Sequence, residues 1–389
     1  MKQYFYFIVF IQFFLFGCIK KNNTIPVLDF QNIESTLNIP ISELDVADIK
    51  YIPLSTDSIS RLSEIIKLKI ANNYFYIEDR GQNSKIIKFS NNGDFICEIG
   101  KRGKGPHEYL SAYDYSITSL SENVYVLSRN ENKIYVYASD GSFIKILPSP
   151  SSQTSILHCL PDCIFCYNKN TDGTVKNSID IIDYNGKEII NYKNRYPYKN
   201  NGIYTGFNEC ILYSFENQLN LKELHSDTLF VYSNFQFTPK YIFKQGAEKF
   251  LPEVRSTLDL SNFITVIPKY IIQRSIFESK NYFFFLFDLN NQYYCLIYNK
   301  KDGTQLFIDG NKGFINDFDG GPNILPKTIM DDNTIVSWIE AYELKAYVAS
   351  KTFKNSTPKY PEKKKELEKL ANSLNENDNP VLMLVKLKE

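Results

Sequence analysis

The chain has 389 residues, with 44 Lys plus Arg against 44 Asp plus Glu, a formal net charge of zero and only three histidines. That balance, without a long basic block, leaves no electrostatic footprint for nucleic acid. The 28 Tyr and 29 Phe, beside one Trp and three Met, favour sheet over helix, and a chain well beyond about 250 residues is expected to divide or repeat.

Met1-Lys2 is followed by a near-continuous apolar run, 4–17, broken by Gln12 and stopping at Cys18. A charged start and so short an apolar stretch predict an export signal over 1–17 rather than a spanning helix. A cysteine directly after Gly17 resembles the lipobox of bacterial lipoproteins, with Phe16 bulkier than the usual residue at its position. The resemblance implies that Cys18 is acylated and becomes the new N-terminus, tying the chain to a membrane. Cleavage removes Lys2 and no acid, so the mature charge is −1. Residues 18–40 are expected as a lipid-anchored tether and 41–389 as the globule. The segment 19–23, IKKNN, lacks the acidic cluster associated with surface export. The expected location is therefore the outer membrane of the cell envelope, on the periplasmic side.

An internal repeat governs the rest. Residues 85–100 (KIIKFSNNGDFICEIG) and 133–147 (KIYVYASDGSFIKIL) share one pattern. Each has an alternating apolar strand, an aromatic, a polar turn ending in glycine, and a second strand opening on phenylalanine. Residues 178–192 and 294–308 are copies around Gly186 and Gly303, while 227–243 keeps the strands without a turn glycine. Gly93, Gly141 and Gly186 are spaced 48 and 45 residues apart. Asn/Asp-Gly turns join strands because glycine takes positive φ without a side-chain clash. Upstream of most hairpins lies another aromatic strand, such as NYFYIED at 73–79 and NYFFFLFD at 281–288.

Three or four strands per repeat predict the blades of a β-propeller. Blades are expected near 64–99, 112–147, 155–192, 205–243 and 274–309, with a sixth built from the two ends. Residues 334–350 are expected to supply its inner strands. Residues 48–55 and 380–388 are expected as terminal strands that close the ring and remove exposed edges. A proline-led segment at 361–377, with Leu367, Leu370 and Leu374 on one face, predicts one short C-terminal surface helix. The fold class is all-β, a six-bladed β-propeller, with seven blades the alternative.

Residues 99–110, IGKRGKGPHEYL, look most like chemistry. Gly100 and Gly105 have the spacing of a phosphate-binding loop, but Pro106-His107 replaces its lysine and hydroxyl, and no helix pattern follows. The segment reads instead as a tight connection between the first two blades. Gly103, Gly105, Pro106, Glu108 and Tyr109 resemble the Gly-x-Gly-Pro-x-Glu-Tyr element of six-bladed propeller lipoproteins of Bacteroidota, relatives of NHL and TolB-like propellers. YIPL at 51–54, NDFDGG at 316–321 and NPVL at 379–382 follow in the family's order. The resemblance implies the fold and export, and supplies no catalytic residues.

Other motifs carry less. Cys159, Cys163 and Cys166 have the spacing of a radical-enzyme iron–sulfur site, and His158 completes a conceivable zinc set. An exported chain of hairpins is the wrong setting for the first, and paired knuckles are missing for the second. Buried thiols or one disulfide are expected there. The acidic turn 316–321 has too few oxygen ligands for an EF-hand-like loop.

The expected function is a non-enzymatic binding module for a protein, peptide or saccharide on the loop face, with abundant Tyr and Asn as the motivating composition. Ligand-binding candidates are Arg102, His107, Glu108, Tyr109, Asp317 and Asp319. The chain is expected to be a monomer, without catalytic residues, metal or cofactor. The alternatives are a lyase- or lactonase-type enzyme with calcium or another divalent metal in the channel, and a scaffold in an envelope assembly.

Overall fold

The computed structural model describes residues 24–388 except 32, 34, 35, 80–84 and 203–205. The expected export signal over 1–17 and Cys18 lie outside the described residues. Six antiparallel sheets form six blades. From the hub outward, blade 1 is Ile65–Ala71, Tyr74–Asp79, Ile86–Phe89 and Phe95–Glu98. Blade 2 is Asp114–Ile117, Val124–Ser128, Lys133–Tyr137 and Phe143–Pro148. Blade 3 is Thr154–Cys159, Ile164–Asn168, Asn177–Ile182 and Glu188–Lys193. Blade 4 is Cys210–Phe215, Gln218–Glu223, Thr228–Ser233 and Gln236–Lys244. Blade 5 is Ile272–Glu278, Tyr282–Leu289, Gln292–Asn299 and Gln305–Asp309.

Blade 6 uses both ends of the chain. Thr328–Met330, Thr334–Ile339 and Val381–Leu387 are its inner three strands, and Val46–Pro53 pairs antiparallel with Val381–Leu387 as the outermost. Terminal strands thus close the ring with backbone hydrogen bonds, as the sequence predicts.

Packing explains the hydrophobic runs. Each middle strand is sandwiched between neighbouring blades, so both of its faces are buried and the sequence loses its alternation. On Tyr282–Leu289, Phe284 and Leu286 enter the core shared with blade 6, while Phe283, Phe285 and Phe287 enter the core shared with blade 4. Four further clusters fill the remaining interfaces between blades. The core is therefore a ring of wedges around a hub.

The repeated turn glycines lock those wedges. Gly141 has φ of 85°, and a Cβ there would stand 2.2 Å from the carbonyl oxygen of Glu98 on blade 1. Gly93 repeats the arrangement with φ of 88° against the Pro53 carbonyl of blade 6. Each glycine thus serves both a left-handed turn and a close docking of one blade on the one before it.

Three expectations change. The described part of 18–40 is not simply a tether: Val27–Asp29 adds a fifth, parallel strand to blade 4. Phe30 then inserts among Phe243, Phe285, Phe287 and Phe307. The expected inner strands at 334–350 are one strand and a helix. Thr334–Ile339 is second from the hub, and Ala341–Ala349 is helical because Ala341, Leu344 and Val348 bury one face. That face packs with Leu367 and Ala371 of the C-terminal helix Pro361–Ser373 on the end of blade 6. Asparagine, finally, serves turns: Asn72, Asn73, Asn290 and Asn291 all have positive φ, a conformation this side chain tolerates.

Because strands alternate, connections between blades and second-to-third turns share one face of the ring, and the remaining hairpin turns occupy the other. The segment 245–271 enlarges the connection face between blades 4 and 5, held by a cluster around Phe207, Phe250 and Leu258.

Candidate functional site

The loop 99–110 is closed upon itself. Glu108 accepts from the Gly105 amide at 2.8 Å, and its carboxylate fills the space a Cβ on Gly103 would need. Tyr109 is buried, with its hydroxyl donating to the Ile99 carbonyl at 3.3 Å. His107 stacks on Phe143 of blade 2, and Tyr137 donates to the His107 carbonyl at 2.8 Å. Arg102 donates to the Leu110 carbonyl. Glu108 and Arg102 thus brace the loop internally, while His107 and Tyr109 pack it onto Phe143, Tyr135 and Tyr137 of blade 2.

Asp317 and Asp319 lie in the connection between blades 5 and 6, separate from that loop. Asp317 accepts from the Ser42 hydroxyl at 2.6 Å and pairs with Lys359 at 3.2 Å. Asp319 is buried, accepting from Tyr51 and the Gly321 amide at 3.2 and 2.8 Å. Burial raises its proton affinity. Both carboxylates fasten the N-terminal segment to the ring.

The hub is a channel of about 620 Å³ lined by the innermost strands of all six blades. Its size suits a small ligand. In the strand Ile65–Ala71, alternation turns Lys67 and Lys69 toward the channel. Both ammonium groups reach Asp114 of blade 2, at 2.6 and 3.2 Å, and Lys69 also donates to the Tyr115 carbonyl. The other Asp114 oxygen accepts from the Leu157 amide of blade 3 at 2.7 Å. One carboxylate therefore ties three blades together. Burial alone would raise the Asp114 pKa, but the two lysines outweigh it and hold the group below its ordinary value.

Farther along, Glu278 of blade 5 accepts from Tyr213 at 2.8 Å and pairs with Lys240 and Lys300 at 2.7 and 2.6 Å. Burial opposes its ionisation, and the two lysines override it, lowering the pKa. Glu209, on the opposite face, is taken by Arg255 at 2.6 Å. Arg274 pairs with Asp288.

His158 and Ser214 form a bridge between blades 3 and 4, with His158 Nε2 and Ser214 Oγ 3.2 Å apart. Burial, helped by Lys69, pushes the imidazole pKa down to about 4. This is two parts of a nucleophile–base relay, but no carboxylate orients the other ring nitrogen among the described residues. The imidazole is also a weak base at that pKa.

Among the described residues, no group of three or more His, Cys, Asp or Glu is placed to hold a metal. Each carboxylate on the channel wall is already engaged by a cation. Cys159, Cys163 and Cys166 are free thiols. Burial pushes the Cys159 pKa up to about 12 and raises the other two, disfavouring the thiolates a metal requires.

Residues 24–386 match the family described as Domain of unknown function (DUF4934). The chain belongs to that family. Curated proteins give no match. Among solved structures, a Bacteroides fragilis NCTC 9343 protein described as exported is 17% identical, with a TM-score of 0.72 over 94% of this chain and 100% of that one. A DUF4221 member from Bacteroides vulgatus ATCC 8482 is 14% identical, with a TM-score of 0.52 over 88% and 97% of the two chains. At these identities the likeness is one of fold.

Sequence reasoning missed the channel residues of this DUF4934 chain because they are scattered over strands far apart in sequence, with Lys67 and Lys69 on blade 1, Asp114 on blade 2, His158 on blade 3 and Glu278 on blade 5. The usable signal is local: KLK at 67–69 puts charge at alternate positions of a strand that begins a blade. Such a strand has one face against its neighbours and the other toward the hub.

Proposed function

We propose that this chain is an exported, lipid-anchored binding module that takes a small ligand in its central channel and does no chemistry on it. One observation carries this reading. The channel presents polar groups from several blades, fixed by hydrogen bonds, whereas the conspicuous loop residues are engaged within their own loop or packed on blade 2. A preformed, rigid site limits the ordering cost of binding. The weak base at His158 and the engaged carboxylates favour binding over either acyl transfer or metal-assisted lysis. Export is supported by the signal-like N-terminus and by the described export of the Bacteroides fragilis neighbour. Anchoring rests on Cys18, and metabolic labelling with an alkyne fatty acid should be lost in Cys18→Ala.

The test of the channel reading is a screen of short saccharides and peptides against the purified protein, repeated with two variants. Ala71→Trp narrows the channel from blade 1 and should abolish binding. His107→Ala, on the loop 99–110, should leave it intact. Binding that survives Ala71→Trp and is lost in His107→Ala would move the site to the loop face.

A further inference from the structure

Behind the channel wall lies a small polar cavity of about 10 Å³, whose lining includes Tyr167, Asn170, Glu209, Glu223, His225 and Arg255. It sits on the connection face, where the turns after the second strands of blades 3 and 4 meet the segment 245–271. Tyr167 and Glu209 belong both to this cavity and to the channel wall. Asn170 and His225 are only 6% and 5% exposed. Each nonetheless keeps one buried polar atom without a hydrogen-bond partner among the described residues, Nδ2 of Asn170 and Nε2 of His225.

Neighbouring groups fix the role of each atom. Asn170 Oδ1 accepts from the Val175 amide at 3.1 Å, so the end left over is the amide NH2, a donor. His225 donates from Nδ1 to the Phe250 carbonyl at 2.8 Å, so Nε2 carries the lone pair of a neutral ring, an acceptor. Burial pushes the imidazole pKa down to about 4 and keeps it in that state at neutral pH. The charges around the cavity are already matched, Glu209 with Arg255 at 2.6 Å and Glu223 with Arg195 at 2.5 Å. A cation placed there would meet Arg255 and the Asn170 NH2 group. An anion would meet the Nε2 lone pair and two carboxylates. A neutral molecule that both accepts and donates meets neither penalty, and the volume is that of a single water.

We infer that this cavity is a binding site for one ordered water, which accepts from Asn170 Nδ2 and donates to His225 Nε2, tying the blade 3 turn to the blade 4 turn. Satisfying a buried donor and a buried acceptor together removes two costly orphans at once. The same residues anchor the segment 245–271: His225 holds Phe250, and Glu209 holds both Arg255 and the Asn170 backbone amide, the latter at 2.6 Å. The water therefore completes a polar network that runs from that segment to Glu209 and Tyr167 on the channel wall. It holds whatever the channel binds.

The experiment is a crystal structure of the full mature chain at a resolution that shows ordered solvent. The expected result is one water peak within hydrogen-bond distance of both atoms, about 2.7–3.2 Å from each. No density in the cavity, or a cavity closed by direct contact between the two side chains, would overturn the inference. Crystals soaked in rubidium or bromide should show no anomalous peak at the site, and a peak from either ion would overturn the assignment to water. In solution, 15N spectra of the imidazoles should place the His225 proton on Nδ1, with Nε2 accepting a hydrogen bond. A proton on Nε2 would overturn the bridge. His225→Phe keeps a flat ring without the acceptor, and its crystal structure should lose the water. A water retained there on Asn170 alone would show that His225 is not its partner and would overturn the bridge as well. Should that variant fail to fold, the unsubstituted crystal and the 15N spectra still decide.

Discussion

At the residue scale, the informative side chains are those whose burial conflicts with their chemistry. His225 is buried on the connection face and donates from Nδ1 to the Phe250 carbonyl at 2.8 Å, holding the segment 245–271. Burial depresses its pKa to about 4, as for His158. Both imidazoles therefore stay neutral in the fold while the unfolded chain takes up protons near pH 6.5. Their contribution to stability is intact above about pH 6.5 and is lost as pH falls toward 4. Urea unfolding should show a drop on the order of a few kcal/mol across that window, and His225→Gln should flatten part of it. Gly141 gives a test that does not depend on pH. Alanine there meets both a left-handed φ and a carbonyl oxygen 2.2 Å away, so Gly141→Ala should cost roughly 2–4 kcal/mol in denaturant unfolding. At this scale the sequence is legible where one residue type has one use, as at the Asn/Asp-Gly turns. It is not legible at Asp114 or Ser214, whose partners lie on blades far away in the chain.

At the scale of elements, the N-terminal segment does more than close blade 6. Val27–Asp29 extends blade 4, Phe30 is wedged between blades 4 and 5, and Ile39, Ile41 and Leu44 join the core between blades 5 and 6. One stretch thus staples three consecutive blades. Phe30→Ala should leave an aromatic-lined cavity and cost roughly 3–5 kcal/mol, measured as a shift of the denaturant midpoint with unchanged strand content by circular dichroism. A cost near zero would mean the segment is an accessory rather than a staple. This staple was hidden in the sequence because a three-residue strand has too little length to show a period. The blades were visible because each repeats an aromatic strand and a turn over dozens of residues. The helix Ala341–Ala349 illustrates the opposite failure. Aromatic and β-branched neighbours made the whole stretch read as sheet, while Leu344 and Val348, four apart, marked the helical face.

At the scale of the whole molecule, a near-neutral chain places cross-blade ion pairs such as Lys67–Asp114 at the hub. The six inter-blade cores supply stability around the circumference, which frees the inner strands to expose polar side chains to a shared cavity. That division accounts for both the loop residues and the channel residues. Loops such as 99–110 join wedges, and the proposed recognition surface is the channel, where all six blades meet. A crystal structure of the protein soaked with the tightest-binding saccharide or peptide of the screen tests this most directly. The account predicts ligand density inside the channel, in contact with the innermost strands of several blades. Density confined to the loops around 99–110 or 316–321, with the channel holding solvent alone, would contradict it.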